Sequence, residues 1–282
     1  MTLVNTAALV RVAVDRSSAV AAFNVITLEH AEAIVTGAEA AGRGVILQIS
    51  QNAVRFHSGQ LRPIAAAAQA LAELADVDVA LHLDHVTDIH LLRQAADAGF
   101  SSVMFDAGDL GYQANVEATR AAARDGHSAG LWVEAELGYV GGKAGAPAGA
   151  HDAGVRTDPV EAEEYVTACG VDALAVAVGS SHAMTTRSAQ LDHELIRSIA
   201  ARVPVPLVLH GSSGVPDTEL RAATSAGIRK INIGTALNIA FTRALREHLA
   251  EDAQLTDPRT YLASARKAMS GTVTALIGAI TD

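Results

Sequence analysis

The sequence predicts an α/β fold: a single-domain (β/α)8 TIM barrel. Three observations carry this. Eight short runs rich in Val, Ile, Leu and Ala recur along the 282 residues, each bounded by Gly, Pro, Asp or a polar cluster. Longer Ala-rich stretches of helical period separate them. No linker, low-complexity tract or charge block divides the chain, whose length suits one barrel. Continuous apolar strands alternating with helices mean a parallel sheet covered by helices. Eight such units favour closure over an open doubly wound sheet, and no Gly-x-Gly-x-x-Gly follows the first strand.

The first strand is expected over Ala21–Val25. A helix over Leu28–Ala41 follows, started by Glu29, His30 and Glu32 and stopped by Gly42. The second strand, Val45–Ser50, precedes a helix over Ile64–Ala75 that is entered at Pro63. The third, Ala80–His85, precedes Ile89–Ala98, which stops at Gly99. The fourth, Ser102–Asp106, precedes Asn115–Asp125, which stops at Gly126. The fifth, Leu131–Leu137, precedes Pro159–Cys169, capped by Asp158 and stopped by Gly170. The sixth, Ala173–Gly179, precedes Leu191–Ala201, and the seventh, Leu207–His210, precedes Thr218–Ala226. The eighth is Lys230–Gly234, and a helical extension runs on from about residue 257. Proline just inside a helix start and glycine just past its end are the punctuation expected of such units.

Net charge is −10. An acidic surface argues against nucleic acid or an anionic membrane as partner, though a site can be locally positive. The single cysteine, Cys169, excludes an internal disulfide and fits a reducing compartment; it reads as a buried structural thiol. No leader pattern and no bilayer-length apolar run is seen, so a cytoplasmic protein is expected.

Active sites of such barrels lie at the carboxyl ends of the strands. His85, His182 and His210 stand at the ends of three different strands, and three imidazoles with an open position make a catalytic zinc arrangement. Any one alone reads better as a hydrogen-bonded core histidine; three at matched strand ends point to metal. The helical His30, His90, His193 and His248 and the loop residues His57, His127 and His151 read as surface groups, and His82 as a packed, paired core residue. Asp84 precedes His85 and suits a base acting on a carbon acidified by a metal-polarised carbonyl, or else a group that orients a ligand histidine. Glu134 and Glu136 share parity and face inward. With Asp106, Glu136 forms a candidate second metal position; pairing with buried cations or backbone donors is the alternative. The turns Gly211-Ser212-Ser213-Gly214 and Gly234-Thr235 follow the seventh and eighth strands, the usual phosphate position in these barrels. Lys143, Lys230 and Lys267 are the only lysines, and none is placed for a Schiff base: Lys143 is in a glycine-rich loop, Lys230 begins the eighth strand, and Lys267 is in the terminal helix.

Taken in order, Ala22–Asn24, Leu81–His85, Val133–Gly138, Leu207–Gly214, Asn232–Thr235 and Asp257-Pro258-Arg259 resemble the class II fructose-bisphosphate and tagatose-bisphosphate aldolases over nearly the whole chain. The resemblance implies cleavage of a ketose 1,6-bisphosphate to dihydroxyacetone phosphate and a phosphorylated aldehyde. It implies Zn2+ on His85, His182 and His210, with Asp84 as base and Asn24 and Asn232 at the substrate. Gly179, Gly211, Ser213, Gly234 and Thr235 would hold the near phosphate, and Ser50 and Arg259 the far one. A monovalent cation such as Na+ or K+ and a homodimer or homotetramer are further implications.

Two departures stand out. The family usually carries glycine, then tyrosine and often lysine after the sixth-strand histidine, where this chain has Ala183 and, further on, Arg187. The family's Gly-Gly loop continues with acidic residues, where this chain reads Gly141-Gly142-Lys143-Ala144-Gly145. A different ketose phosphate, a barrel hydrolase and a non-catalytic partner subunit of an aldolase complex are the rival readings.

Overall fold

A computed structural model describes residues 2–138 and 156–281. Among these, eight parallel strands close a barrel: β1 Val20–Asn24, β2 Val45–Ser50, β3 Val79–Val86, β4 Ser102–Phe105, β5 Trp132–Leu137, β6 Ala173–Val176, β7 Leu207–Leu209 and β8 Ile228–Ile233. Each pairs with its sequence neighbour, and β1 closes on β8 with Val20 opposite Lys230 and Ala22 opposite Asn232. Eleven α-helices are described: α1 Thr6–Asp15, α2 Leu28–Ala41, α3 Gln51–Phe56, α4 Leu61–Leu74, α5 Ile89–Gln94, α6 Tyr112–Ser128, α7 Pro159–Cys169, α8 His193–Arg202, α9 Asp217–Ala226, α10 Thr235–Glu251 and α11 Pro258–Thr281.

The pleat divides the side chains between two surroundings. Leu81 and Leu83 on β3, Val133 and Ala135 on β5, and Ile231 and Ile233 on β8 join the large core between sheet and helices. Their neighbours His82, Asp84, Glu134, Glu136, Lys230 and Asn232 are buried polar groups of the barrel interior. The apolar core thus fixes strand register, and register aims the polar chains into the barrel.

Several elements differ from expectation for local reasons. Helix α1 was not foreseen, because Val10, Val12 and Val14 alternate as in a strand; Asn5 caps it by accepting from the Ala7 N–H. Its Leu9, Val10 and Ala13 pack on Val20, Ala22, Ile46 and Ala80 and seal the floor of the barrel. Helix α3 is too short to show a period, and α10 starts directly from Gly234 with no capping side chain. Helix α6 runs through Gly126, expected as its end, because that glycine serves packing: a Cβ there would lie 2.6 Å from Val133 Cγ2. His127 is therefore helical. His30, expected at the surface, is buried and stacked on Phe241 of α10. No described helix is long and apolar enough to cross a membrane.

Candidate active site

A cavity of about 610 Å3 opens at the carboxyl ends of the strands. Its walls bring together Asn24, Ser50, Asp84, His85, Asp106, Glu136, His182, Gly211, Ser213, Asn232, Gly234 and Thr235, drawn from the ends of seven strands and the segment after β6. His210 is fully buried and does not itself line the cavity, and two expected residues are elsewhere. Gly179 packs behind the wall, where an added Cβ would strike the Gln190 carbonyl and lie 2.7 Å from the Arg156 guanidinium. Arg259 opens α11 with its side chain 89% exposed; Asp257 draws the guanidinium back to 2.7 Å. Arg187 also turns away, donating to the Val215 carbonyl and Asp217. The Gly141-Gly142-Lys143-Ala144-Gly145 run and His151 lie outside the described residues.

Neighbours on a regular strand point to opposite faces, so Asp84 and His85 should not both reach the mouth. A register irregularity between Leu83 and Val86 and a φ of 47° at His85 break the alternation. A non-glycine residue in the left-handed region costs on the order of 1–3 kcal/mol, and such strain clusters at functional sites. The result is a close trio of rings: His85 lies 5.3 Å from His182 and 4.9 Å from His210 between centroids. One ring nitrogen from each of the three falls within 4.8 Å of the others.

Carboxylates fix two of these rings. Asp106 lies 3.0 Å from His85 Nδ1, leaving Nε2 for the cluster. Glu134 lies 2.8 Å from His210 Nε2, and its other oxygen accepts from Lys230 Nζ at 2.8 Å. Glu136 approaches His210 Nδ1 at 2.9 Å. Asp106 and Glu136 therefore attend different histidines and are not grouped as a second metal position; the described residues form one three-ligand cluster. Burial lowers the His210 pKa, but the adjacent carboxylates of Glu134 and Glu136 outweigh it and raise the value to about 9. Burial opposes charge on Glu134, yet Lys230 and His210 hold it well below the usual carboxylate range.

Lys230 was expected merely at the lower face. Its Cα is indeed level with the first residue of β1, but its long stem carries Nζ to Glu134 inside the barrel. Lys230→Met would leave Glu134 charged, buried and half-unpaired. It is expected to lower stability by about 3–5 kcal/mol in chemical denaturation, and Glu134→Gln on the same chain to recover part of that. No loss of stability would show that the chain Lys230–Glu134–His210 is energetically idle.

The donor set suits a divalent cation. Three imidazoles converge, two held by carboxylates as metal-ligating histidines commonly are. His210 Nδ1 is fully buried without a well-aligned hydrogen bond. Asp84 stands beside the cluster, buried, with Oδ2 accepting from Asn24 Nδ2 at 3.3 Å and Oδ1 unbonded. Burial opposes its charge, but His85, His210, His82 and Lys230 together hold its pKa below the ordinary value, so it is ionised at neutral pH. His82 is a paired core residue, as expected: Ser102 Oγ lies 2.8 Å from Nδ1, and burial and Lys230 push its pKa down to about 3.

At the opposite rim the turns after β7 and β8 are built for close approach. Gly211 has φ 65°, and a Cβ there would lie 2.6 Å from the Ser181 backbone. A Cβ on Gly234 would lie 2.7 Å from Asn24 Oδ1. Ser213 Oγ accepts from the Ala236 N–H at 3.0 Å, tying the β7 turn to the start of α10. Both polar atoms of the Asn232 amide are buried and lack protein partners. Two further residues join the site beyond those the sequence points to: Gln48, which donates to Asn24 Oδ1 at 3.0 Å, and Arg55 on α3, which lines the cavity. A glutamine inside an otherwise apolar run was the signal for the first; a short helix hid the second.

Fold and site together define a (β/α)8 enzyme whose catalytic mouth carries a cluster of three histidines with the spacing of a metal-ligand set. The family model of class-II fructose-bisphosphate aldolase matches residues 4–281, so the chain belongs to that family, whose members are carbon–carbon lyases and generally metal-dependent. It is 38% identical over 275 residues to a fructose-bisphosphate aldolase of Geobacillus stearothermophilus, covering 97% of this chain and 95% of that protein. A fructose-bisphosphate aldolase of Staphylococcus epidermidis is 36% identical over 260 residues, with 92% and 90% covered. Among solved structures, the YdjI aldolase of Escherichia coli K12 superposes with a TM-score of 0.83 at 30% identity over 99% of this chain and 97% of that one.

Proposed function

We propose that this class II aldolase is zinc-dependent and reversibly cleaves a ketose 1,6-bisphosphate, of the fructose or tagatose type, to dihydroxyacetone phosphate and a phosphorylated aldehyde. The observation that carries the reading is the three-histidine cluster with ionised Asp84 beside it. His85, His182 and His210 hold the ion, and three nitrogen ligands suit zinc. A bound divalent ion supplies Lewis acidity toward the ketose carbonyl. Asp84 moves the proton that accompanies breaking or making of the carbon–carbon bond, with Asn24 holding its carboxylate in place. The unpartnered Asn232 amide meets the dihydroxyacetone phosphate portion. Gly211 and Ser213 in the turn after β7, with Gly234 and Thr235 at the amino end of α10, receive the near phosphate through backbone N–H groups, hydroxyls and the helix dipole. Ser50 stands on the far side, where it also caps α3 by accepting from the Ala53 N–H at 3.1 Å.

The chain acts as a single barrel domain, in the cytoplasm, as a homodimer or homotetramer; a monovalent cation such as Na+ or K+ near the phosphate belongs to the same reading. Coupled detection of dihydroxyacetone phosphate released from fructose and tagatose 1,6-bisphosphates tests it. Release from one epimer at least about tenfold faster identifies the substrate. Release from neither overturns the ketose-bisphosphate reading and returns weight to a different ketose phosphate or a non-catalytic partner subunit.

A further inference from the structure

The cavity is rich in negative charge: Asp84, Asp106, Asp109 and Glu136 all line it. A dianionic phosphate at the aldehyde end of a substrate would be repelled by these groups unless a cation meets it. Arg259 does not do so within this chain, because Asp257 holds its guanidinium in solvent. Among the described residues lining the cavity, Arg55 is the only lysine or arginine. It lies on α3, the helix that Ser50 caps, after β2. In the ring of eight that position is two strands from β8 and three from β7, away from the near-phosphate turns. Among the described residues its side chain makes one hydrogen bond, Nη1 donating to Asn52 Oδ1 at 3.1 Å, which steadies one edge of the guanidinium without neutralising it. No described carboxylate pairs with it. An arginine so placed has a free planar fork, the geometry that grips phosphate through two N–H groups.

Resting on the aldolase reading above, we infer that Arg55 is the specificity-determining residue for the terminal phosphate on the aldehyde half of the substrate. It binds that phosphate beside Ser50 and so makes the enzyme prefer a ketose bisphosphate to a ketose monophosphate. Among the described residues no hydrogen bond or ion pair joins Arg55 to Asp84 or the histidine cluster, so its effect falls on recognition of one end of the substrate.

The test is steady-state cleavage of fructose 1,6-bisphosphate and fructose 1-phosphate by the zinc-loaded wild type, Arg55→Gln and Arg55→Lys, with tagatose 1,6-bisphosphate in place of the first if it is the better substrate. Arg55→Gln is expected to raise KM for the bisphosphate about 10–100-fold while kcat changes far less, the effect expected of a lost charge-assisted bond. The ratio of kcat/KM between bisphosphate and monophosphate should fall by at least about tenfold, and Arg55→Lys should restore part of it. An equal fall for both substrates would overturn the inference, because it would place Arg55 at the near phosphate or in the fold. No fall for either would also overturn it. Wild-type enzyme that releases dihydroxyacetone phosphate from neither sugar would refute the ketose-bisphosphate reading on which the inference rests, a result recognisable before any variant is made.

Discussion

Asp84→Asn is expected to lower kcat by about 10²–10⁴-fold while leaving the bound metal and the fold in place. The substitution keeps the shape of the side chain and one oxygen to accept from Asn24 Nδ2, now bonded at 3.3 Å. What it removes is the ability to take a proton. Asp84 is buried, and its charge is maintained by His85, His210, His82 and Lys230 despite that burial. The same positive surroundings are poor at stabilising a protonated carboxyl, so the group is poised to hold its proton only briefly. If the variant keeps its metal by atomic absorption and loses turnover, Asp84 is the proton carrier. If metal and activity fall together, Asp84 instead orients the cluster. Undiminished turnover would remove Asp84 from the chemistry.

His210→Ala is expected to lose bound metal and activity together, each by more than about 100-fold, since disturbing even an outer partner of a metal ligand commonly costs about 10–100-fold. His210 is the most deeply placed of the three rings, fully buried between Glu134 and Glu136. Its removal leaves Glu134 still paired with Lys230, so the barrel should remain folded. Circular dichroism and metal content read the two effects apart. Activity retained in a metal-free variant would contradict the assigned role of the cluster.

Much of this site was legible because polar residues interrupt apolar strands at their carboxyl ends. His85, His182, His210 and the two glycine turns were each found from strand ends alone, without knowledge of the curve of the sheet, whereas the role of Asn232 came from the family resemblance. The facing of Asp84 and His85 was not legible. It depends on a break in register and a φ of 47°, and strand alternation argues against it. Lys230 was misplaced for a related reason: position along a strand locates its Cα low in the barrel, but not the reach of a four-carbon stem to Glu134. Arg259 was carried over from a motif, and the motif did not record that Asp257 two residues earlier would hold the side chain outside this chain's cavity. In the fold, α1 was hidden by its valine alternation, while its function as a floor appears only once Val20, Ala22, Ile46 and Ala80 are seen to face inward together.

Ala183 occupies the position where the family usually has glycine, and its φ of 57° lies in the left-handed region that glycine adopts freely. The chain therefore keeps the backbone path beside His182 at some cost in strain, and the departure seen in the sequence does not by itself divert the sixth-strand histidine from the cluster.

The most direct test of the central claim is release of dihydroxyacetone phosphate from the preferred ketose bisphosphate before chelation, after exhaustive removal of metal by EDTA, and after addition of one equivalent of zinc. The predicted result is loss of release on chelation and recovery with zinc. Undiminished release by enzyme shown to be metal-free would contradict the account, whatever substrate it cleaves.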